Sequence, residues 1–326
     1  MKFIEWPETD AYFNLAAEEY VFSTLDKEQE YIMLWQNENA VVIGKHQNTL
    51  EEISTPYVEE HKIQIVRRLT GGGAVYHDLG NLNYTFILNV QQSEINFRAF
   101  SQPMADALNQ LGLNVEFSGR NDLILDGKKI SGVAQYIKSG RVLHHGTLLF
   151  NSNLNVLSNV LNVSNKKIES KGVKSVRSRV TNISDYLPGV TMDEFKKHLE
   201  KTFIDELKLE RYEFTEKDIA AIKELRKTKY STWEWNYGKS PEFDVRKEFR
   251  FSEGGVTIYI RVNTGIIQEI HLYGDFFGNG DISDIENRLQ SVRLREEDVR
   301  DVLRTMNVGH YIFGMDAETL AKYITD

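Results

Sequence analysis

Cysteine is missing from all 326 residues. Its absence removes disulfides, thiolate metal sites and any cysteine nucleophile together. Also missing is any apolar run approaching the ~18–20 residues of a membrane span. The N-terminal stretch Met1-Lys2-Phe3-Ile4-Glu5-Trp6-Pro7 has no long apolar core of a secretory signal, so a cytoplasmic location is the expectation. Nor is there an excess of positive charge. A formal net charge of −9 argues against a dedicated nucleic-acid binder, which carries a basic face. The 41% hydrophobic and 27% charged content is that of a soluble globular protein, and 326 residues allow one large domain or two ordinary ones.

What is present centres on residues 67–83. Strand-like Ile63–Val66 feeds Arg67-Arg68, then Leu69-Thr70-Gly71-Gly72-Gly73, then an apolar run. Three glycines let the backbone take φ > 0 and lie directly against a ligand. Successive N–H groups in such a turn converge on an anion, and the guanidiniums offer planar forks for carboxylate or phosphate. Neither common phosphate loop is matched. Spacing alone therefore leaves two readings open, an anion site or a tight turn between strands.

Along the chain, residues 14–25 read as a helix with Leu15, Val21, Phe22 and Leu25 on one face and Asn14 as its cap. Buried strands Tyr31–Trp35 and Ala40–Ile43 follow. The turn 44–48 ends the second, with His46 read as a surface loop residue. A helical stripe runs through Phe97, Phe100, Met104, Leu108 and Leu111, where Pro103 marks either a start or a kink. Asp126-Gly127 and Ser139-Gly140 divide residues 113–150 into an antiparallel meander. Strict alternation then puts Lys129, Ser131, Val133 and Gln135 on one face, and Ile130, Gly132, Ala134 and Tyr136 on the other. His144 and His145 face opposite ways on a strand and so do not share an ion. His77 and Asp78 lack an evident third ligand.

Residues 164–182 hold six basic side chains against one acid, an exposed basic loop. Thr191 and Glu194 form a capping box opening a helix, and a second helix spans roughly residues 216–228. A domain boundary is expected near Asp244. Beyond it, three strands (Lys247–Ser252, Val256–Val262, Ile266–Tyr273) and three short helices make a small unit. The fold class is α+β: a largely antiparallel, mixed β-sheet flanked by helices over residues 1–244, plus a small α+β C-terminal accessory domain over 245–326.

The run from Arg67 to Asn81 (Arg-Arg-Leu-Thr-Gly-Gly-Gly-Ala-Val-Tyr-His-Asp-Leu-Gly-Asn) resembles the signature of lipoate–protein ligases, within the biotin/lipoate ligase superfamily. Further blocks match in family order. They are Gly119-Arg120-Asn121-Asp122-Leu123 with Gly127-Lys128-Lys129-Ile130-Ser131-Gly132, then His144-His145-Gly146-Thr147, then residues 171–182, then Ser231-Thr232-Trp233-Glu234-Trp235-Asn236. The resemblance covers essentially the whole chain. It implies a catalytic domain that activates lipoate with ATP to lipoyl-AMP, releasing pyrophosphate. The lipoyl group then passes to a lysine of an acceptor protein. Lipoyl and octanoyl transferases of the superfamily use a cysteine thioester, a route closed to this chain.

The resemblance also implies residue roles. Lys129 is the catalytic residue. Arg68, Gly73, Ala74, Val75, Tyr76, Lys129, Lys174, Ser175, Arg177 and Arg179 contact ATP or the adenylate, the last four of them in a loop folding over the nucleotide. Lys129 with Gly71, Gly72 and Gly73 binds lipoate. Asp122 helps hold Mg²⁺ on the phosphates, or is a turn residue. The implied acceptors are lipoyl domains of 2-oxoacid dehydrogenase complexes and the glycine cleavage H protein. The implied protein is a monomer, with neither nucleic-acid nor membrane partners. Octanoate is an alternative substrate, since apolar pockets discriminate poorly between similar chains. A non-catalytic lipoyl- or adenylate-binding module is the alternative from another class. Biotin ligation is disfavoured by the Gly-Gly-Gly-Ala-Val turn and the lack of an N-terminal helix-turn-helix.

Overall fold

A computed structural model of the chain describes residues 1–90, 96–119, 121–161, 179–237 and 244–325. Two compact units emerge. One comprises Met1–Ile43, Thr49–Arg68 and Ala74–Asn236; the other comprises Gly44–Asn48, Leu69–Gly73 and Tyr237–Asp326. No helix among the described residues is long and apolar enough to cross a membrane.

In chain order the strands are β1 (Lys2–Glu5), β2 (Tyr31–Trp35), β3 (Ala40–Ile43), β4 (Gln64–Arg67), β5 (Val75–His77), β6 (Asn81–Asn89), β7 (Val115–Ser118), β8 (Asp122–Leu125), β9 (Lys128–Lys138), β10 (Arg141–Leu149), β11 (Glu210–Tyr212), β12 (Val245–Phe251), β13 (Gly254–Asn263) and β14 (Ile266–Gly274). Eight of them form the main sheet of the first unit, in the order β11-β1-β2-β6-β10-β9-β8-β7. β1 runs parallel to β11 and β2, and the remaining neighbours are antiparallel. A smaller sheet, β4-β3-β5, ends β4 at Arg67, and both Arg67 and Arg68 are buried. This is the expected α+β class with a mixed sheet.

The predicted meander is present, and its turns explain it. Asp126 and Gly127 have φ of 49° and 73°, and Ser139 and Gly140 have 52° and 73°. Two successive positive φ values are what a type I′ hairpin turn requires. Alternation along β9 nevertheless fails at one point. The register with β8 runs Leu123 to Ser131 and then Ile124 to Lys129, so Ile130 is an extra residue, a β-bulge. A Cβ built on Gly132 would lie 2.8 Å from Lys129 Nζ. Lys129 thus sits on the face of Gly132, not with Ser131 as strict alternation expects.

Helix Ala11–Ser23 begins earlier than expected because Asp10 caps it, accepting from Tyr12 N. Asn14 is no cap. It is buried, its Oδ1 accepts from Trp6 Nε1 at 2.6 Å, and its Nδ2 reaches Gln36 O and Asn37 Oδ1. Helix Phe97–Asn109 passes through Pro103 and is capped by Asn96, which accepts from Ala99 N. Helix Met192–Leu207 opens on the predicted capping box.

In the second unit, β12-β13-β14 form an antiparallel meander covered by helices Ser283–Leu289, Glu296–Leu303 and Ala317–Thr325. Its core includes Ile258, Ile270, Leu289, Val299, Leu303 and Leu320. Two short segments from far earlier in the chain complete it. Gly274 N donates to His46 O at 2.6 Å, and Gly72 N donates to Phe276 O at 3.3 Å. The His46 ring stacks on Phe276 with centroids 4.7 Å apart. It is buried there, not a surface loop residue as its sequence context suggests.

Candidate active site

Residues directly opposite one another across paired strands share a face of the sheet. Trp35 lies opposite Asn83, Asn83 opposite Thr147, and Gly132 opposite Asp122. Gly132 N donates to Thr147 Oγ1 at 3.3 Å, which joins the two halves. One row thus crosses five strands: Trp35, Asn83, Thr147, Gly132, Asp122. The bulge adds Lys129 to it, with Nζ 2.7 Å from Asp122 Oδ1. The Lys129 backbone is held on both sides. Its N–H donates to Arg179 O at 2.7 Å, and its carbonyl accepts from Thr181 N at 3.0 Å.

The next row on this face contains Thr85 and His145, and helix Ala11–Ser23 supplies Glu18 to it. Glu18 Oε1 accepts from Thr85 Oγ1 at 2.7 Å and lies 2.8 Å from His145 Nδ1. Trp35 Nε1 donates to Thr85 Oγ1 at 3.0 Å. Arg68, at the end of β4, is buried, and its Nη1 donates to Val42 O at 3.1 Å. Burial pulls its guanidinium from 12.5 down to about 10, opposed by the charge of Glu18. It is still a cation at neutral pH.

His77 completes the group. Asn37 Oδ1 accepts from Asn14, so Asn37 Nδ2 faces His77 Nδ1 at 3.1 Å and donates to it. That leaves the ring proton on Nε2. Burial first, then the nearby Arg68 and His145, push His77 down to about 3, so the ring is neutral. Among the described residues, His77 Nε2 and Asn83 Nδ2 are buried without a hydrogen-bond partner. Buried donors are normally satisfied. These donors border a group that carries two cations, Arg68 and Lys129, and two carboxylates, Glu18 and Asp122, and Glu18 Oε2 is likewise buried without a partner.

His144 points to the other face. Its Nε2 meets Ser101 Oγ at 3.1 Å and its Nδ1 meets Gln135 Nε2 at 2.9 Å, and burial pushes it down to about 3. The adjacent histidines therefore serve opposite sides of the sheet, as the strand period requires.

The remaining predicted site residues fall into distinct places. Gly72 has φ 93°, open only to glycine in practice. A Cβ on Gly71 would sit 2.3 Å from Phe276 O, so the space beside it is already filled. A Cβ on Gly73 would meet nothing within 4 Å. Ala74 and Val75 are half-buried, and Tyr76 is buried with its hydroxyl donating to Asn39 Oδ1 at 3.2 Å. Burial, then Asp78, lifts Tyr76 to about 12. Arg179 is half-buried and acts on Lys129 through its carbonyl. Lys174, Ser175 and Arg177 lie outside the described residues. Asp122, expected near Mg²⁺, holds an ammonium. Among the described residues no group of three or more His, Cys, Asp or Glu is placed to hold a metal; a Mg²⁺ held mainly by substrate phosphates needs only one or two carboxylates, and the Asp122 carboxylate is paired with Lys129 here.

Arg67 differs from its neighbour. Its Nε donates to Trp235 O at 2.9 Å, and its Nη2 donates to Thr49 Oγ1 at 2.6 Å and Asn236 O at 3.0 Å. It ties the Trp233–Asn236 helix to β4. Sequence reasoning passed over Asn83, Thr147 and Glu18 as site residues. For Asn83 the signal was polar residues at alternate positions of an apolar strand, Asn81, Asn83 and Thr85, which a buried sheet face tolerates only with partners.

Residues 10–204 match the family described as Lipoyl protein ligase A/B catalytic domain. This chain belongs to the lipoate–protein ligase family. Residues 240–324 match a second description, Bacterial lipoate protein ligase C-terminus. Over 320 residues this family member is 45% identical to the lipoate–protein ligase LplJ of Bacillus subtilis (strain 168), covering 97% of each chain. Two solved structures are similar. One is a bi-partite lipoate protein ligase of Thermoplasma acidophilum, described with its E2 lipoyl domain. It is 32% identical with a TM-score of 0.65, covering 75% of this chain and 98% of that one. The other is a lipoate–protein ligase A bound with ATP, 29% identical with a TM-score of 0.61, covering 73% and 98%.

Proposed function

We propose that this ligase activates lipoate with ATP and transfers the lipoyl group to a lysine of lipoyl domains, those of 2-oxoacid dehydrogenase complexes and of the glycine cleavage H protein. In the first half-reaction a lipoate carboxylate oxygen attacks the α-phosphorus of ATP. A mixed anhydride, lipoyl-AMP, forms and pyrophosphate leaves. In the second, an acceptor lysine amine attacks the lipoyl carbonyl, the amide forms, the amine loses a proton and AMP leaves. The difficulty lies in the first half, where two anions must meet. Unit charges 4 Å apart repel by about 1 kcal/mol in water and about 4 at an effective ε of 20.

The observation carrying this reading is the position of Lys129. Its ammonium lies on the sheet face that also holds Asn83, Thr147 and Glu18, beside buried donors lacking acceptors. An ammonium between carboxylate and α-phosphate offsets their repulsion and stays with the charge as it moves to the leaving group. Arg68 supplies a second buried cation, Gly73 to Tyr76 offer backbone to the adenylate, and Arg179 borders Lys129. In this reading Mg²⁺ arrives with ATP as part of the substrate. The catalytic domain spans residues 1–244 and the accessory domain 245–326, and the protein acts as a cytoplasmic monomer.

Lipoate-dependent exchange of labelled pyrophosphate into ATP tests the proposal. Wild type is expected to exchange and Lys129→Ala to lose most of it. Exchange without lipoate, or an undiminished Lys129→Ala, overturns it.

A further inference from the structure

We infer that Asp122 is a positioning residue for Lys129, holding its ammonium on the reactive face of the sheet, and is not a metal ligand. The inference rests on the ligase reading above and adds to it how the lysine is aimed. A lysine stem has four rotatable bonds and loses much rotamer freedom when fixed. At 37% side-chain exposure, Lys129 would sample solvent unless something held it. Three features do so together.

The first is the bulge at Ile130, which puts the Lys129 side chain on the Gly132 face. The second is Gly132 itself. A Cβ there would stand 2.8 Å from Nζ and 3.1 Å from Cε of Lys129, so the stem lies where any other residue would place its own side chain. The third is Asp122, which the β8 register sets directly opposite Gly132, with Oδ1 2.7 Å from Nζ. Because Arg179 O and Thr181 N fix the backbone of Lys129, the side chain is what remains to be aimed. A dication on this carboxylate would stand next to an ammonium already paired with it, an arrangement of like charges that the pairing disfavours.

Asp122→Asn tests this in the full-length protein, with Asp122→Glu as the conservative variant. Acetic anhydride labelling read by mass spectrometry compares Lys129 with the exposed Lys128 on the same chain. Asp122→Asn is expected to raise the Lys129 to Lys128 labelling ratio by about 3-fold, the scale of a partly exposed ion pair. In lipoate-dependent exchange its kcat is expected to fall about 10-fold through misplacement of the amine. KM for ATP and the Mg²⁺ concentration for half-maximal rate stay at wild-type values, and Asp122→Glu recovers part of kcat. An unchanged labelling ratio, an unchanged kcat, or a raised Mg²⁺ requirement in Asp122→Asn each overturns the proposal. Wild-type protein that shows no lipoate-dependent exchange overturns the ligase reading instead, while the labelling result still judges Asp122.

Discussion

Lys128 and Lys129 are neighbours with different surroundings, one exposed and the other laid across Gly132 onto Asp122. Lys128→Ala should therefore leave lipoate-dependent exchange within about 2-fold, whereas Lys129→Ala should lower it by roughly 10²-fold or more, the scale of losing one preorganised charge. The same contrast separates the two arginines. Arg67 is spent on two carbonyls and a hydroxyl, so Arg67→Ala leaves buried acceptors unpaired. It should cost about 3 kcal/mol, read as a lower urea midpoint. At this scale the sequence was partly legible. Motif resemblance selected Lys129 and Arg68, but alternation alone assigned Lys129 to the wrong face. A bulge is set by pairing with another strand, and period two along one strand carries no mark of it. Gly71 shows the reverse case. Its glycine reads as room for a ligand, and the space belongs to Phe276.

At the scale of elements, local chemistry wrote most of what is seen. Asp-Gly and Ser-Gly dictated the hairpins, and Thr-x-x-Glu dictated the start of a helix. The first helix was misplaced because two residues were eligible as caps. Asp10 caps, while Asn14 is taken into a buried network that also orients Asn37 and, through it, the tautomer of His77. Asn14→Ala should thus cost about 2 kcal/mol in unfolding free energy by orphaning buried partners. It should do more harm to exchange than Asp10→Ala, since only the former releases His77. Where β6 and β10 pair, with Gly146 opposite Tyr84, a Cβ on Gly146 would fall 2.5 Å from the Tyr84 ring. Gly146→Ala is accordingly expected to destabilise by about 1–3 kcal/mol through overpacking, measured by thermal or urea unfolding.

For the whole molecule, the pH response of the second unit follows from His271. Its hydrogen bond to Glu286, against the opposing effect of burial and with further help from Glu269, raises its pKa above the ordinary 6.5. A raised folded value means the ion pairs stabilise fully below about 6.5. That contribution fades as pH climbs through the folded value. Urea midpoints of the second unit should fall on going from pH 6 to mildly alkaline, and His271→Gln should flatten that slope; an equal slope in the variant would refute the assignment.

The second unit draws on residues 44–48 and 69–73 as well as the C-terminal stretch, joining His46 and Gly72 to Gly274 and Phe276. On the ribosome those partners are made some two hundred residues apart, and contacts so distant must wait for the later segment to emerge. The glycine turn, though among the earlier parts of the chain to be synthesised, is then among the last to acquire its neighbours. A nascent chain halted before Phe276 would carry the glycine turn already translated, yet without the partner to which its Gly72 N–H donates within the second unit.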